Sequence, residues 1–172
     1  IAIDPNPVTC DVVKADKANA EGNPEKALNL LLPYANNMDE AHTDPYVSYT
    51  LAESYHALGQ TDKVAFWLAQ TAICDLTKGT TEYQALPWLA QMLFEAGQVE
   101  RAYQYMICSM EDANFCNAYL RTVEVSNVFP IIDKQYKQTT HEQRIRQRNL
   151  LYLLGVLLVI LVGIIVVFYL QM

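Results

Sequence analysis

Apolar residues recur at helical spacing through most of the chain, and short polar segments containing glycine or proline interrupt them. A periodicity of three to four residues is typical of amphipathic helices and predicts an all-α chain. The pattern indicates three consecutive helix pairs, followed by a seventh helix that would cover the open end of the array. The predicted helices are 9–21 with 24–37, 45–58 with 62–76, 82–96 with 99–113, and finally 115–128.

An internal repeat supports this pairing. The segments AEGNPEKAL, ALGQTDKVA and EAGQVERAY align on Gly22, Gly59 and Gly97, which lie 37 and 38 residues apart. Glycine adopts the left-handed conformation that ends a helix, and small residues at fixed offsets allow two helices to pack closely. Such small or β-branched residues lie five positions after each glycine and seven positions before the second and third: Ala27, Val64, Ala102, Ala52 and Ala90.

Residues that favour helix starts occur at the expected boundaries. Asn23 and Asp44 each precede a proline, which suits the first helical position, and Thr61 is placed to cap the fourth helix. Proline is unfavourable in helix interiors. We therefore expect a kink or a late start at Pro87, and an interruption of the helical pattern at Pro130.

The segment 150–170 reads LLYLLGVLLVILVGIIVVFYL and contains no charged residue. At a rise of about 1.5 Å per residue it is long enough to cross a hydrocarbon core of about 30 Å, so it predicts one transmembrane helix. From Ile131 onward the chain looks helical up to this segment. The sequence thus predicts a helical repeat domain over 1–129, a basic juxtamembrane linker over 130–149 and a transmembrane helix over 150–170.

Charge is distributed unevenly along the chain. Residues 1–133 carry 18 acidic and 7 basic side chains, whereas 134–149 carries five basic side chains and one acidic. An acidic head argues against nucleic acid as a partner. The basic side chains beside the span either bind the lipid bilayer or form the solvated flank that any span needs. This membrane-surface collar consists of Arg144, Arg146 and Arg148.

No catalytic or metal-binding motif occurs in the sequence. His141 and Glu142 begin like a zinc-protease motif, but Ile145 stands where its second histidine would be. Phosphate-binding, dinucleotide-binding and calcium-binding loops are absent. We therefore expect no enzyme activity, no cofactor and no metal. The cysteines form no CxxC motif and are expected to be buried, inert thiols.

The helix pairs resemble tetratricopeptide repeats, with a period three or four residues longer than usual and the poorest match in the first copy. The resemblance implies a superhelical array whose concave groove, lined by the first helix of each pair, binds a protein or peptide. Exposed aromatic and polar side chains suit such a partner. The alternative is that Tyr46, Tyr49 and Phe94 are packing contacts between adjacent pairs. The repeat register places Asp16, Asn19, Tyr46, Tyr49, Glu53, His56, Gln84, Gln91 and Phe94 in the groove.

A narrower resemblance rests on SMEDANFCNAYLRTVEVS, residues 109–126, joined to PIID and followed closely by one span. This segment is similar to a bacterial family of uncharacterised single-span membrane regulators. The resemblance implies an extracytoplasmic repeat array, one inner-membrane helix and a cytoplasmic coiled coil leading to an output domain. The basic collar alone would place the repeats in the cytoplasm. We follow the resemblance and expect a periplasmic repeat domain.

The leading functional hypothesis is the input half of a bacterial signalling protein. In it, the repeats bind a protein or peptide and the helix over 131–170 conveys a shift across the membrane. The alternatives are a cell-envelope scaffold without signalling output and a chaperone-like holder of secreted substrates. Only the signalling hypothesis requires a folded output domain after Met172. Gly155 and Gly163 miss the GxxxG spacing and indicate a homodimer through the span only weakly.

Overall fold

The computed structural model describes residues 7–35, 44–78 and 84–171, and its secondary structure within these ranges is helical. The prediction of an all-α array of helix pairs is confirmed. One compact unit extends to Ile132, and a second begins at Asp133. The helices are α1 (Pro7–Ala20), α2 (Pro24–Ala35), α3 (Pro45–Ala57), α4 (Thr61–Lys78), α5 (Ala85–Glu95), α6 (Val99–Phe115) and α7 (Tyr119–Gln171).

The three repeat glycines end α1, α3 and α5 in the same way. Gly22, Gly59 and Gly97 have φ values of +76°, +70° and +78°. In each turn the glycine N–H donates to the carbonyl three residues earlier, and the next N–H donates to the carbonyl five residues before it, at 2.8–3.0 Å. These two bonds define a Schellman motif, which satisfies carbonyls that the helix end leaves without partners.

A fourth turn of this kind, which the sequence did not reveal, joins α6 to α7. Here Asn117 replaces glycine at φ +52°. Its N–H donates to Asn114 O at 3.2 Å, and the N–H of Ala118 donates to Ala113 O at 2.9 Å. Asparagine is one of the few non-glycine residues that adopt the left-handed conformation at modest cost, so a search restricted to glycine misses this turn.

Small buried residues lie where the two helices of each pair pack together. The residues seven before and five after each turn glycine are at most 1% exposed in all three pairs. The first pair, whose sequence matched least well, follows the same rule because Ala15 is completely buried. Side chains this small allow the helix backbones to approach closely. The residues are Ala15 with Ala27, Ala52 with Val64, and Ala90 with Ala102.

Two of the three predicted capping residues lie at helix starts as expected, whereas Thr61 is the first residue of α4, and the carbonyl of Gln60 before it accepts the first helical hydrogen bond, from the N–H of Val64 at 3.1 Å. The Asp44 side chain accepts a hydrogen bond from the N–H of Tyr46 at 2.9 Å, and Asn23 caps α2 through the N–H of Lys26 at 3.4 Å. The late start expected near Pro87 is also found, since α5 begins at Ala85. Proline is then the third helical residue, where the missing N–H would have had no partner within the helix.

The expected interruption at Pro130, and with it the end of the seventh helix at 128, is wrong. Helix α7 runs from Tyr119 through Pro130 to Gln171. Proline inside a helix costs about 3 kcal/mol. Val125 and Ile132, on either side of it, are 2% and 0% exposed in a cluster with residues of α5 and α6. Burial of each such side chain stabilises by about 1.5–3 kcal/mol, which outweighs the proline.

The second unit contains the charged and apolar parts of α7. Arg144, Arg146 and Arg148 are exposed, as are the described side chains of the segment 150–170. Lys137 and Asp133 form an ion pair of 2.7 Å. Among the described residues, one helical stretch, Val125–Gln171, is long and apolar enough to cross a membrane by length and composition.

The cysteine prediction holds in part. Cys74 is buried, whereas Cys10 and Cys108 are half-buried. Cys116 is exposed, so the expectation of a buried thiol is wrong there. It lies at the C-cap of α6, in the turn that contains Asn117, and a turn between helices faces solvent because its backbone polar groups need partners.

Candidate peptide-binding groove

Polar side chains join α1 to α3, the first helices of the first two pairs. The Thr50 hydroxyl donates to Asp16 Oδ1 at 2.7 Å. The Ser54 hydroxyl donates to Asn19 Oδ1 at 3.0 Å, and Asn19 Nδ2 donates to the carbonyl of Thr50 at 3.4 Å. Two predicted groove residues, Asp16 and Asn19, therefore hold neighbouring repeats together.

Aromatic contacts join α3 to α5, the first helix of the third pair. The Tyr49 hydroxyl donates to Gln84 Oε1 at 2.7 Å. The indole of Trp88 meets the Tyr49 ring edge-on with centroids 6.0 Å apart, and meets the His56 ring edge-on at 5.2 Å. The structure thus brings together three predicted residues around a tryptophan that the repeat register did not select.

Two adjoining clefts open beside Trp88. Trp88 and Gln91 line both of them, so these side chains form the wall that the clefts share. The first cleft has a volume of about 240 Å³ and the second about 290 Å³. The first is completed by Tyr49, Gln84, Pro87, Met106, Val125 and Val128, and the second by residues that include His56, Met92 and Glu95.

Glu53 and Tyr46 occupy the centre of the α3 surface in this region. Helix α1 contacts α3 at Thr50 and Ser54, and α5 contacts it at Tyr49 and His56, as described above. At about 100° of rotation per residue, the side chain of Glu53 lies between these two lines of contact. Tyr46 shares this face and is 66% exposed. Glu53 is half-buried, and burial, followed by the nearby charge of Asp16, raises the pKa of its carboxyl.

The cleft-facing side of α5 carries two predicted residues and two that the repeat register did not select. Gln84, Trp88, Gln91 and Glu95 follow one another at spacings of four, three and four residues, so they share one face of the helix. Gln91 Nε2 donates to Glu95 Oε1 at 3.1 Å. Phe94 is half-buried and packs in the cluster of α5, α6 and α7 that contains Val125 and Ile132. Its binding role stays a prediction, and its packing favours the alternative of an inter-helix contact.

The sequence contained a signal for Trp88 and Glu95. Both continue the stripe begun at Gln84 by helical spacing. The repeat register instead extended the stripe to Phe94, one position before the groove face. This difference of one position corresponds to a rotation of about 100° around the helix. It is large enough to turn a side chain from the groove to the neighbouring core.

The site combines fixed aromatic rings, amide groups and carboxylates around concave space. In the part of the chain that the structure describes, no group of three or more His, Cys, Asp or Glu side chains is arranged to hold a metal ion. Aromatic rings present apolar area at low entropic cost, and the surrounding polar groups fix the orientation of a partner. This arrangement suits recognition of a peptide or of a protein segment.

Comparison with known proteins identifies the repeats. Residues 2–127 match the model of a family described as the SusR N-terminal TPR domain. Searches of curated proteins and of solved structures gave no significant match. Tetratricopeptide domains are helical-repeat modules that typically bind proteins or peptides. Because the match spans well over half of its length, this chain belongs to the family of SusR N-terminal TPR domains.

Proposed function

We propose that the repeats bind a protein or peptide in the groove formed by α1, α3 and α5. The observation that carries this proposal is the pair of adjoining clefts on either side of Trp88. The rings beside them are held by a hydrogen bond and by edge-on contacts between two helices. Side chains that are already ordered lose little further entropy on binding, which favours affinity.

A rival surface lies on α4. Its side chains Phe66, Ile73 and Leu76 are 54%, 51% and 57% exposed and share one face by helical spacing. An exposed apolar face of this kind also marks interaction sites. We favour the groove because it offers concave space and polar groups that fix direction, which an apolar stripe on one helix lacks.

We further propose that the chain is anchored in the bacterial inner membrane, with the repeats in the periplasm. The uncharged apolar stretch of α7 and the exposed arginine collar beside it support the anchor. The resemblance to single-span regulators supports the orientation. A membrane-impermeant maleimide tests it: the exposed Cys116 should be labelled in intact spheroplasts, and the buried Cys74 only after denaturation. Labelling of Cys116 only after lysis of the spheroplasts would contradict the orientation.

A signalling role is supported by the course of α7. This helix supplies Val125 and Val128 to the first cleft, and further along the chain it contains the apolar stretch. A partner in that cleft would therefore contact the same helix that enters the membrane. The coding sequence after Met172 provides the test. An encoded output domain is expected, and a stop codon within a few residues would favour the scaffold or chaperone alternatives.

Groove binding is tested with a matched pair of substitutions. Random peptides displayed on phage are selected on the full chain in nonionic detergent micelles, and their affinities are measured for Gln91→Arg and Gln104→Arg. Both glutamines are exposed, but only Gln91 lines the clefts. The longer arginine should fill the clefts and weaken binding at least about tenfold, or 1.4 kcal/mol. Equal binding to both variants would contradict the proposal.

A further inference from the structure

The groove carries three carboxylates, those of Asp16, Glu53 and Glu95. Asp16 accepts a hydrogen bond from Thr50, and Glu95 accepts one from Gln91. Glu53 lies between the α1 and α5 sides of the groove. Within 7–35, 44–78 and 84–171, no lysine or arginine forms an ion pair with any of the three carboxylates.

The basic residues of α1 are engaged elsewhere. Lys14 forms an ion pair with Asp11 at 2.7 Å, and Lys17 lies 3.7 Å from Glu21. Both pairs are made within α1 itself, at spacings of three and four residues. The negative charge of the groove is therefore left for a partner to neutralise.

The position of Glu53 makes this charge unfavourable in the unliganded protein. Burial weakens the solvation of its carboxylate, and the charge of Asp16 opposes ionisation further, so the pKa of Glu53 is raised. A cation placed between the two carboxylates would replace this repulsion by attraction. The interaction gains strength because the site is partly removed from water.

The indole of Trp88 packs against the part of α3 that carries Glu53. Trp88 contacts Tyr49, four residues before Glu53, and His56, three residues after it. The indole therefore lies alongside the turn of α3 that carries Glu53. Tryptophan is the aromatic residue that binds cations best through its face. A planar guanidinium can both stack on such a ring and form two hydrogen bonds with a carboxylate, which an ammonium cannot do.

We infer that the partner is a cationic peptide segment, whose arginine side chain enters the groove beside Trp88 with its charge directed to Glu53 and Asp16. This inference rests on the proposed groove function. It specifies the chemistry of the ligand, and it makes acidic and uncharged segments poor ligands for the same clefts.

The experiment uses peptides selected on the full chain in nonionic micelles. Arginine should be enriched among peptides that require Gln91, and exchange of that arginine for the isosteric, uncharged citrulline should abolish tight binding. Glu53→Gln removes one of the groove's carboxylates with little change of shape, whereas Glu100→Gln removes an exposed charge on α6. Glu53→Gln should weaken binding about tenfold and reduce its dependence on salt, and Glu100→Gln should leave both unchanged.

The outcomes separate this inference from the function on which it rests. Selected peptides that are neutral or acidic, yet lose binding in Gln91→Arg, overturn the cationic partner and leave groove binding intact. Cationic peptides that bind Glu53→Gln and Glu100→Gln equally also overturn it, because the attraction would then be to the acidic surface in general. A selection that yields no peptide dependent on Gln91 overturns the proposed function itself.

Discussion

The substitution Gly59→Ala isolates the contribution of one repeat turn to stability. Gly59 has φ +70°, and a Cβ built on it would meet no other atom within 4 Å. The substitution therefore introduces no clash, and its cost comes from the backbone alone. A left-handed residue with a Cβ costs about 1–2 kcal/mol, while alanine lowers the entropy of the unfolded chain by about 0.4–1 kcal/mol. The net loss of unfolding free energy is expected to be about 1 kcal/mol.

A second substitution at the same position tests the cause. Asn117 adopts φ +52° in the equivalent turn between α6 and α7. Asparagine tolerates this conformation better than alanine because its short polar side chain forms local hydrogen bonds. Gly59→Asn should consequently destabilise the protein less than Gly59→Ala.

Tryptophan fluorescence during urea unfolding of the full chain in detergent provides the assay. The chain contains two tryptophans, Trp67 and Trp88, and both pack in the repeat clusters, so the signal reports on the repeats rather than on the apolar segment. Gly155→Ala is the matched control, because Gly155 is helical and does not have positive φ. An unchanged midpoint for Gly59→Ala, or an equal loss for alanine and asparagine, would refute the backbone explanation.

Two further predictions use the same assay. Burial raises the pKa of Asp75 to about 6, while the charge of Lys78 opposes the rise. This pKa lies above that of aspartate in the unfolded chain. The contribution of Asp75 to the free energy of unfolding is therefore fully present below about pH 4 and is lost as the pH rises through about 6. Asp75→Asn should therefore raise the free energy of unfolding by up to about 3 kcal/mol at pH 7 relative to the parent. A gain in stability that does not shrink as the pH is lowered would contradict this explanation. Ala90 is completely buried between helices, and Ala90→Leu should lower the free energy of unfolding by about 1–3 kcal/mol. Ala57 is exposed, and Ala57→Leu should change it little. Equal effects of the two substitutions would show that the fold does not require a small residue at position 90.

The helix pairs could be predicted from the sequence because local signals and packing requirements coincide there. Gly59 is both the residue that a left-handed turn favours and the point from which the buried positions of Ala52 and Val64 are counted. In the first pair, too, the buried small residues lie seven positions before and five positions after the turn glycine. This is so although the positions that usually carry large apolar residues match the repeat poorly there. The small residues at the crossing, such as Ala15, therefore carry more structural information than the large ones.

The features that the sequence did not reveal depend on tertiary context. Proline at 130 is a local helix breaker, and the structure continues the helix because Val125 and Ile132 are buried on either side of it. To predict which side chains of α5 face the groove, the rotation of that helix about its axis must be known to within one residue. Trp88 was missed for this reason, and Phe94 was assigned to the groove although it packs against the next helices.

Site-specific photocrosslinking in the native cell tests the groove most directly. A benzophenone amino acid replaces Tyr46 in the groove or Phe66 on α4; both aromatic side chains are exposed, at 66% and 54%, so the two positions are comparable. Crosslinked adducts are expected from position 46, they should disappear in Gln91→Arg, and position 66 should give none. Adducts from position 66 alone, or adducts from position 46 that persist in Gln91→Arg, would contradict partner binding in the groove.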